Sequence, residues 1–181
     1  MDSQVLITAE QFDLILDRLA HQLLEQHDFS ETDIIGLQPR GIRLANRLQS
    51  RLSELLGGAE VRCGEMDVTF HRDDLRMREK PITPQVNNMD FLVEERNVIL
   101  VDDVLFTGRT IRAGLDALLA YGRPKKVELV VLIDRRFKRE LPIEPTYVGQ
   151  QIDSILEQHV AVEWSEDSQC DQVILFNSKP E

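Results

Sequence analysis

RNVILVDDVLFTGRTIRAGLDALL, residues 96–119, holds a strand, an acidic pair, a loop and a helix in that order. Val98, Ile99, Leu100 and Val101 are a short, bulky apolar run, and the run predicts a buried parallel strand. It stops at two adjacent carboxylates, Asp102 and Asp103. Val104, Leu105 and Phe106 then lead to Thr107, Gly108, Arg109 and Thr110. A helical pattern follows, with Ile111, Leu115, Leu118 and Leu119 on one face. A strand that ends in a hydroxyl- and glycine-bearing loop at a helix N-terminus is an anion cradle. Backbone N–H groups point outward, the helix dipole favours negative charge, and Gly108 lets a phosphate approach closely. Two carboxylates beside a phosphate would repel it, so they face something else: ribose hydroxyls or a hydrated Mg²⁺. Phosphate donors next to hydroxyl acceptors describe a 5-phosphoribosyl group. A plain helix cap is the alternative, but it needs one Asp rather than two and no Thr-Gly-Arg-Thr.

Outward from this stretch, the chain has 181 residues, enough for one domain with a sizeable core. It has no membrane-length apolar run and no signal-like N-terminus. Cys63 and Cys170 stand alone, as free thiols of a reducing cytoplasm do. The net charge of −11 argues against a general polyanion binder. Its distribution is uneven. Residues 1–33 carry eight acids against Arg18 alone, whereas 123–139 carry Arg123, Lys125, Lys126, Arg135, Arg136, Lys138 and Arg139 against Glu128 and Asp134.

Thr8 and Gln11 open a capping box, and Phe12, Ile15, Leu16, Leu19, Leu23 and Leu24 continue at helical spacing. Asp33 to Leu37 reads as a first core strand that empties into Gln38-Pro39-Arg40-Gly41 and a helix with Leu44, Leu48, Leu52 and Leu55 inward. This is a second anion site by the same physics, with an arginine beside it. Arg40, Arg43, Arg47 and Arg51 give that helix a basic stripe, read as a solvated face with nucleic acid as the remote alternative. Residues 60–70 alternate as a strand with a phase slip near Gly64, and 71–90 form a charged, aperiodic excursion shaped like a lid. Val127 to Ile133 is another apolar strand ending at Asp134. Tyr147-Val148 is a short strand, and 159–177 reads as a C-terminal hairpin.

The segment from Val98 to Thr110 resembles the phosphoribosyl-pyrophosphate (PRPP) motif of type I phosphoribosyltransferases. With GEMDVTFHRDDL, RAGLDALLAYGRP and RELP, the chain is similar to the bifunctional pyrimidine-operon regulator and uracil phosphoribosyltransferase family, PyrR. The resemblance implies an α/β fold of the type I phosphoribosyltransferase kind: one domain over 1–181, with a mostly parallel central sheet flanked by helices, a flexible lid and a C-terminal β-hairpin. It implies transfer of 5-phosphoribosyl from PRPP to uracil, giving UMP and diphosphate, with Mg²⁺ as cofactor and a homodimer or higher oligomer as the working state.

Residue by residue, the resemblance assigns PRPP binding to 98–110 with Arg40 and Gly41. Catalysis falls to Asp102, Asp103, Arg40 and Arg72, with Asp102 and Asp103 reaching the metal through water. Arg40 lies in the diphosphate loop, where the family has Thr-Arg-Gly with a cis peptide before the Arg; here Pro39 replaces the Thr, and the cis bond would fall between Pro39 and Arg40. Arg72, in the family's Arg-Asp-Asp, reaches the diphosphate from the lid. Asp134, Arg135 and Arg136 begin the base loop, which is one residue longer than the family's and lacks its Gly and His. Phe106 stands where purine transferases place an Asp base, and it favours a pyrimidine. Family members also bind a messenger-RNA leader, which would engage Arg18, His21, Lys138 and Arg139. Asp13 and Asp17 on the same helix as Arg18 oppose that use. The rival readings are an RNA-binding attenuator using the pocket as a nucleotide sensor, a transferase for another base, and a degenerate transferase without catalysis.

Overall fold

A computed structural model describes residues 3–73, 86–154 and 158–177. In chain order the elements are β1 (Ser3–Ile7), α1 (Ala9–Gln26), β2 (Thr32–Leu37), α2 (Gly41–Leu55), β3 (Cys63–Met66), β4 (Asn97–Leu105), α3 (Arg109–Leu118), β5 (Lys126–Arg135), β6 (Tyr147–Ile152), β7 (His159–Glu163) and β8 (Gln172–Phe176). The apolar runs of β2, β4 and β5 are buried on both faces, as parallel strands require. They form the centre of a five-stranded sheet in the order β3-β2-β4-β5-β6, with every neighbouring pair parallel. A three-stranded antiparallel sheet, β1-β8-β7, lies beside it. No described helix is long and apolar enough to cross a membrane.

Two cores hold the layers together. On one face α1, α2 and the small sheet bury Phe12, Leu16, Leu44 and Leu48 against Ile99 and Val101 of β4. Phe12 meets Trp164 edge-on at 5.4 Å, which ties α1 to the hairpin. On the other face α3 sets Ile111, Ala117 and Leu118 against Ile35, Leu100 and Val131. The Thr8 capping box is formed as its sequence predicts, with Gln11 N–H donating to Thr8 and Thr8 N–H to Gln11.

Several expectations need correction. β4 does not stop at Val101; it runs through both acids to Leu105, because pairing with β5 is made by the backbone and takes no account of side-chain polarity. The strand expected over 60–70 spans only Cys63–Met66. The Asp67 carboxylate accepts from Thr69 N–H at 2.9 Å and Thr69 O–H at 2.6 Å, which turns the chain into a 3₁₀ turn at Thr69–His71. Leu55, Leu115 and Leu119 face solvent rather than core. In α3 the buried positions are shared between Ile111 and Leu118 and the small residues Ala113, Gly114 and Ala117. A Cβ at Gly114 would lie 3.0 Å from Leu37, so the helix seats too close to the sheet for a leucine stripe. The N-terminal residues supply a strand, β1, that extends the hairpin into a sheet. Of the lid expected over 71–90, residues 74–85 lie outside the described residues.

The basic stripe of α2 is closed by acids and is not a free cationic face. Arg43 pairs with Asp167, Arg47 with Glu166 at 2.9 Å and Asp171 at 2.7 Å, and Arg51 with Asp13 and Asp17. Both cysteines are free, and burial pushes the Cys63 thiol up to about 12.

Near the N-terminal end of β2, Asp33 has no solvent exposure. It accepts bidentate bonds of 2.7–2.9 Å from both Arg62 and Arg96. Arg62 also covers the Phe91 ring at 4.7 Å. Asp33→Asn leaves two partly buried guanidiniums without their carboxylate, and is expected to destabilise the fold by about 3 kcal/mol. The urea midpoint, read at unchanged slope, measures this loss.

Candidate functional site

The topology chooses the site before any side chain is considered. From β2 the chain crosses to β3 on one side of the sheet, and from β4 it crosses to β5 on the other. The order therefore reverses between β2 and β4, and in open α/β sheets the crevice beyond such strand ends takes the ligand. Both strands open onto helix N-termini there, α2 after Arg40 and α3 after Gly108. The first N–H groups of each helix have no acceptor within it, so two anion-receiving ends lie on adjacent strands.

Gly41 sets their separation. A Cβ at Gly41 would stand 2.3 Å from the Val101 carbonyl oxygen and 3.0 Å from Asp102 Cα. Only glycine lets the turn after β2 lie against the acidic end of β4. The cis bond among the described residues is Gln38–Pro39, one residue earlier than the resemblance implied, at an X–Pro bond, where the cis form is least costly. Arg40 caps the helix end without a side-chain cap bond and is exposed.

Asp102 and Asp103 are more enclosed than an open sugar site suggests, at 8% and 5% exposure. Asp102 Oδ1 accepts from the Asp103 N–H at 2.9 Å, and Asp103 Oδ1 from the Val104 N–H at 2.8 Å. Val104 packs on the same side as Val101, with Leu105 on the other, so strict strand alternation breaks across the pair. Burial, then the Asp103 charge, pushes the Asp102 carboxyl well above the usual carboxylate range, with Arg72 opposing. Burial also raises Asp103, with Arg40 opposing. Asp103 Oδ2 is buried and has no hydrogen-bond partner among the described residues. A carboxylate oxygen left in that state is an acceptor prepared for a ligand.

The phosphate loop is held from three directions. Gly108 takes a left-handed φ of 92° as the residue before α3, a conformation that favours glycine. Arg72 Nη1 donates to Thr110 Oγ1 at 3.0 Å, so Arg72 stands beside this loop with its charge felt at Asp102. Arg109 bonds Asp73 at 2.5 Å and Glu140 at 2.7 Å. Glu140 and Leu141 donate their N–H groups to the Thr107 carbonyl at 3.0 and 3.2 Å.

The base-loop residues have structural partners. Arg135 is buried, donates to Ser154 Oγ at 2.7 Å and the Gln158 carbonyl at 2.9 Å, and lies 4.1 Å over the Phe106 ring. Arg136 pairs with Asp153 at 2.7 and 2.8 Å. Asp134 is buried and accepts from Arg139 and, at 3.4 Å, from Gln151. Among the residues the sequence assigned to RNA, Arg18 bonds the Val148 and Gly149 carbonyls, His21 Nδ1 lies 2.8 Å from the Asp17 carbonyl, and Arg139 turns inward. Lys138 is half-buried. Sequence reasoning missed Glu140 as a partner of Arg109 and Arg139 as a partner of Asp134 and Phe106. These contacts join residues up to 33 positions apart, and no local pattern announces them.

No group of three or more His, Cys, Asp or Glu among the described residues could cage a metal. Two carboxyls with one unused buried oxygen suit Mg²⁺ instead, which keeps most of its waters and takes the rest of its shell from substrate oxygens.

Residues 6–167 match the family described as Phosphoribosyl transferase domain. The chain is 43% identical over 177 residues to "Bifunctional protein PyrR" of Haemophilus ducreyi, covering 97% of each chain. It is 42% identical over 180 residues to the protein of that name in Actinobacillus pleuropneumoniae serotype 5b, covering 98% of this chain and 99% of that one. With the Bacillus cereus AH820 protein of the same name it shares 41% over 165 residues, 90% of this chain and 91% of the other. Among solved structures, a hypoxanthine-guanine phosphoribosyltransferase of Bacillus anthracis superposes with a TM-score of 0.70 at 18% identity, covering 96% of this chain and 98% of that one. A hypoxanthine phosphoribosyltransferase of Staphylococcus aureus gives 0.66 at 22%, covering 87% and 80%. The likeness to these two is one of fold.

Proposed function

This chain belongs to the phosphoribosyl transferase domain family and, within it, to the PyrR proteins; on that premise we propose that it transfers 5-phosphoribosyl from PRPP to uracil. The observation that carries the reading is the pair of open helix ends on adjacent strands with the unused Asp103 oxygen at the strand end between them. PRPP has anions at both ends of a sugar diol, and this arrangement suits it. The N–H groups at Thr107 to Thr110 hold the 5-phosphate, and the turn at Arg40-Gly41 holds the diphosphate. Asp102 and Asp103 accept from the ribose hydroxyls and orient the waters of substrate-bound Mg²⁺. The metal, when bound, neutralises charge on the diphosphate.

In the reaction the bond from C1′ to the diphosphate oxygen breaks, its electron pair leaves with the diphosphate, and uracil N1 bonds to C1′ as its proton passes to water or to the departing diphosphate. Arg40 faces the charge that grows on the departing group, where a fixed cation lowers the barrier. Asp102 and Asp103 favour the positive charge that develops on the sugar ring once they are ionised. Burial raises both carboxyls, and PRPP with Mg²⁺ would supply the cation and donors that favour their charged forms. Phe106 occupies the place of a purine-directed base, and the N1–H of uracil, conjugated with two carbonyls, is acidic enough to be given up without one.

The test is UMP formation by the purified protein from uracil, PRPP and Mg²⁺, with orotate, hypoxanthine and guanine as competitors for the same role. UMP only from uracil is the expected result, and no product from any base would remove the enzyme. The word "Bifunctional" in the relatives' names supports a second role. We propose that UMP in this pocket controls binding of a pyrimidine-gene leader RNA. Arg18 and Arg139 are engaged within the protein, so this contact must use Lys138 and other cations or a rearranged surface. A salt titration of leader-RNA binding with and without UMP tests it; affinity that is absent at low salt or indifferent to UMP would remove the regulator. Activity in the assembled state is expected of a homodimer or larger oligomer in the cytoplasm.

A further inference from the structure

The contacts of residues 134–141 point to a role for Arg139 that is separate from RNA. Leu105 and Asp134 are register partners at the ends of β4 and β5, so the phosphate-loop strand and the base-loop strand finish side by side. Arg139 bridges those two ends. Its Nη1 donates to the Phe106 carbonyl at 2.5 Å, and its Nη2 bonds the buried Asp134 carboxylate. The next two residues continue the seam, with the N–H groups of Glu140 and Leu141 on the Thr107 carbonyl and the Glu140 side chain on Arg109. Phe106 is fixed from its other side by the Arg135 guanidinium at 4.1 Å. Arg136, another cation of the loop, is directed elsewhere, to Asp153.

We propose that Arg139 is a positioning residue of the transferase, holding the base loop and the 5-phosphate loop as one rigid body. The proposal rests on the uracil-transfer reading above. Phosphoribosyl transfer needs the base nitrogen aligned with C1′ while the far end of the sugar is pinned at Thr107 to Thr110. An offset of about 1 Å between the two loops costs roughly a hundred-fold in rate. A planar guanidinium can serve a carbonyl and a carboxylate together in fixed geometry; an ammonium supplies the same charge without that geometry. Arg139 therefore acts through Phe106 and Asp134, touching neither base nor phosphate.

The experiment uses the full-length protein and separates charge from geometry. Arg139→Lys keeps a cation for Asp134, and its melting temperature is expected within a few degrees of wild type. Its kcat/KM for uracil is expected to fall roughly ten- to a hundred-fold, with KM for PRPP changed by no more than about two-fold. Arg139→Gln removes both functions and should lower the melting temperature as well; if it fails to fold, the lysine variant alone decides. A lysine variant with kcat/KM for uracil within about two-fold of wild type overturns the proposal, as does a loss carried by a raised KM for PRPP. Wild-type protein that makes no UMP would instead remove the reading on which the proposal stands, and that result is distinct from either.

Discussion

Asp103→Asn is expected to cut kcat for UMP formation by at least about a hundred-fold while leaving the protein folded and no less stable than wild type. The activity loss follows from charge. A carboxylate accepts from ribose hydroxyls with charge-assisted strength and favours the cationic sugar of the transition state; an amide does neither, and losing one preorganised group of this kind costs roughly 10²–10³ in rate. The stability prediction follows from the sign of the shift. Burial raises the Asp103 carboxyl, so the folded state holds its proton to a higher pH than the unfolded chain does. Stability then falls as pH climbs from the ordinary carboxylate range through the raised folded value. Asparagine stands in for the protonated acid and carries no such cost, so the variant should lose less stability than wild type over that window. Urea midpoints at pH 4 and pH 7, beside kcat at saturating PRPP, check both halves; retained turnover would remove Asp103 from the chemistry.

The central unit was legible because its signals are local. A β-branched run, two acids, a Thr-Gly turn and a helix pattern lie within 24 consecutive residues, and β4 and α3 form on them, with β4 running on through the acids to Leu105. The helix cap at Thr8 was legible for the same reason. What failed depends on contact with distant chain. Leucine spacing placed Leu115 and Leu119 inside, but the closeness of α3 to Leu37, visible only once the sheet exists, gives that face to Gly114 and its small neighbours. The α2 arginines looked like a solvated stripe because Asp13, Asp17, Glu166, Asp167 and Asp171 come from other parts of the chain. The partners of Arg139 were illegible likewise: nothing in its basic run announces Asp134 and the Phe106 carbonyl beside it. The enclosure of the two acids was illegible too, since burial of a polar pair is set by what packs around the strand end.

Gly41→Ala is expected to remove most transferase activity, about a hundred-fold in kcat/KM for PRPP, and to destabilise the fold by about 1–3 kcal/mol. The new methyl would meet the Val101 carbonyl oxygen at 2.3 Å, and that atom belongs to the backbone of a central strand paired on both sides. β4 cannot yield without breaking its ladders, so the α2 end must move outward. That displacement carries Arg40 and the diphosphate turn away from Asp102 and Asp103, widening the gap that a single substrate has to span. Gly108→Ala provides the contrast. There the added Cβ meets only Ile143 and Leu141 at 3.4–3.5 Å, and the cost is the left-handed φ of 92°, roughly 1 kcal/mol. Its effect should appear mainly as a raised KM for PRPP from a distorted phosphate loop, with kcat better preserved. If Gly41→Ala instead keeps wild-type kcat/KM for PRPP, the close seating of α2 against the end of β4 is not what places the diphosphate, and the two helix ends do not act on one ligand.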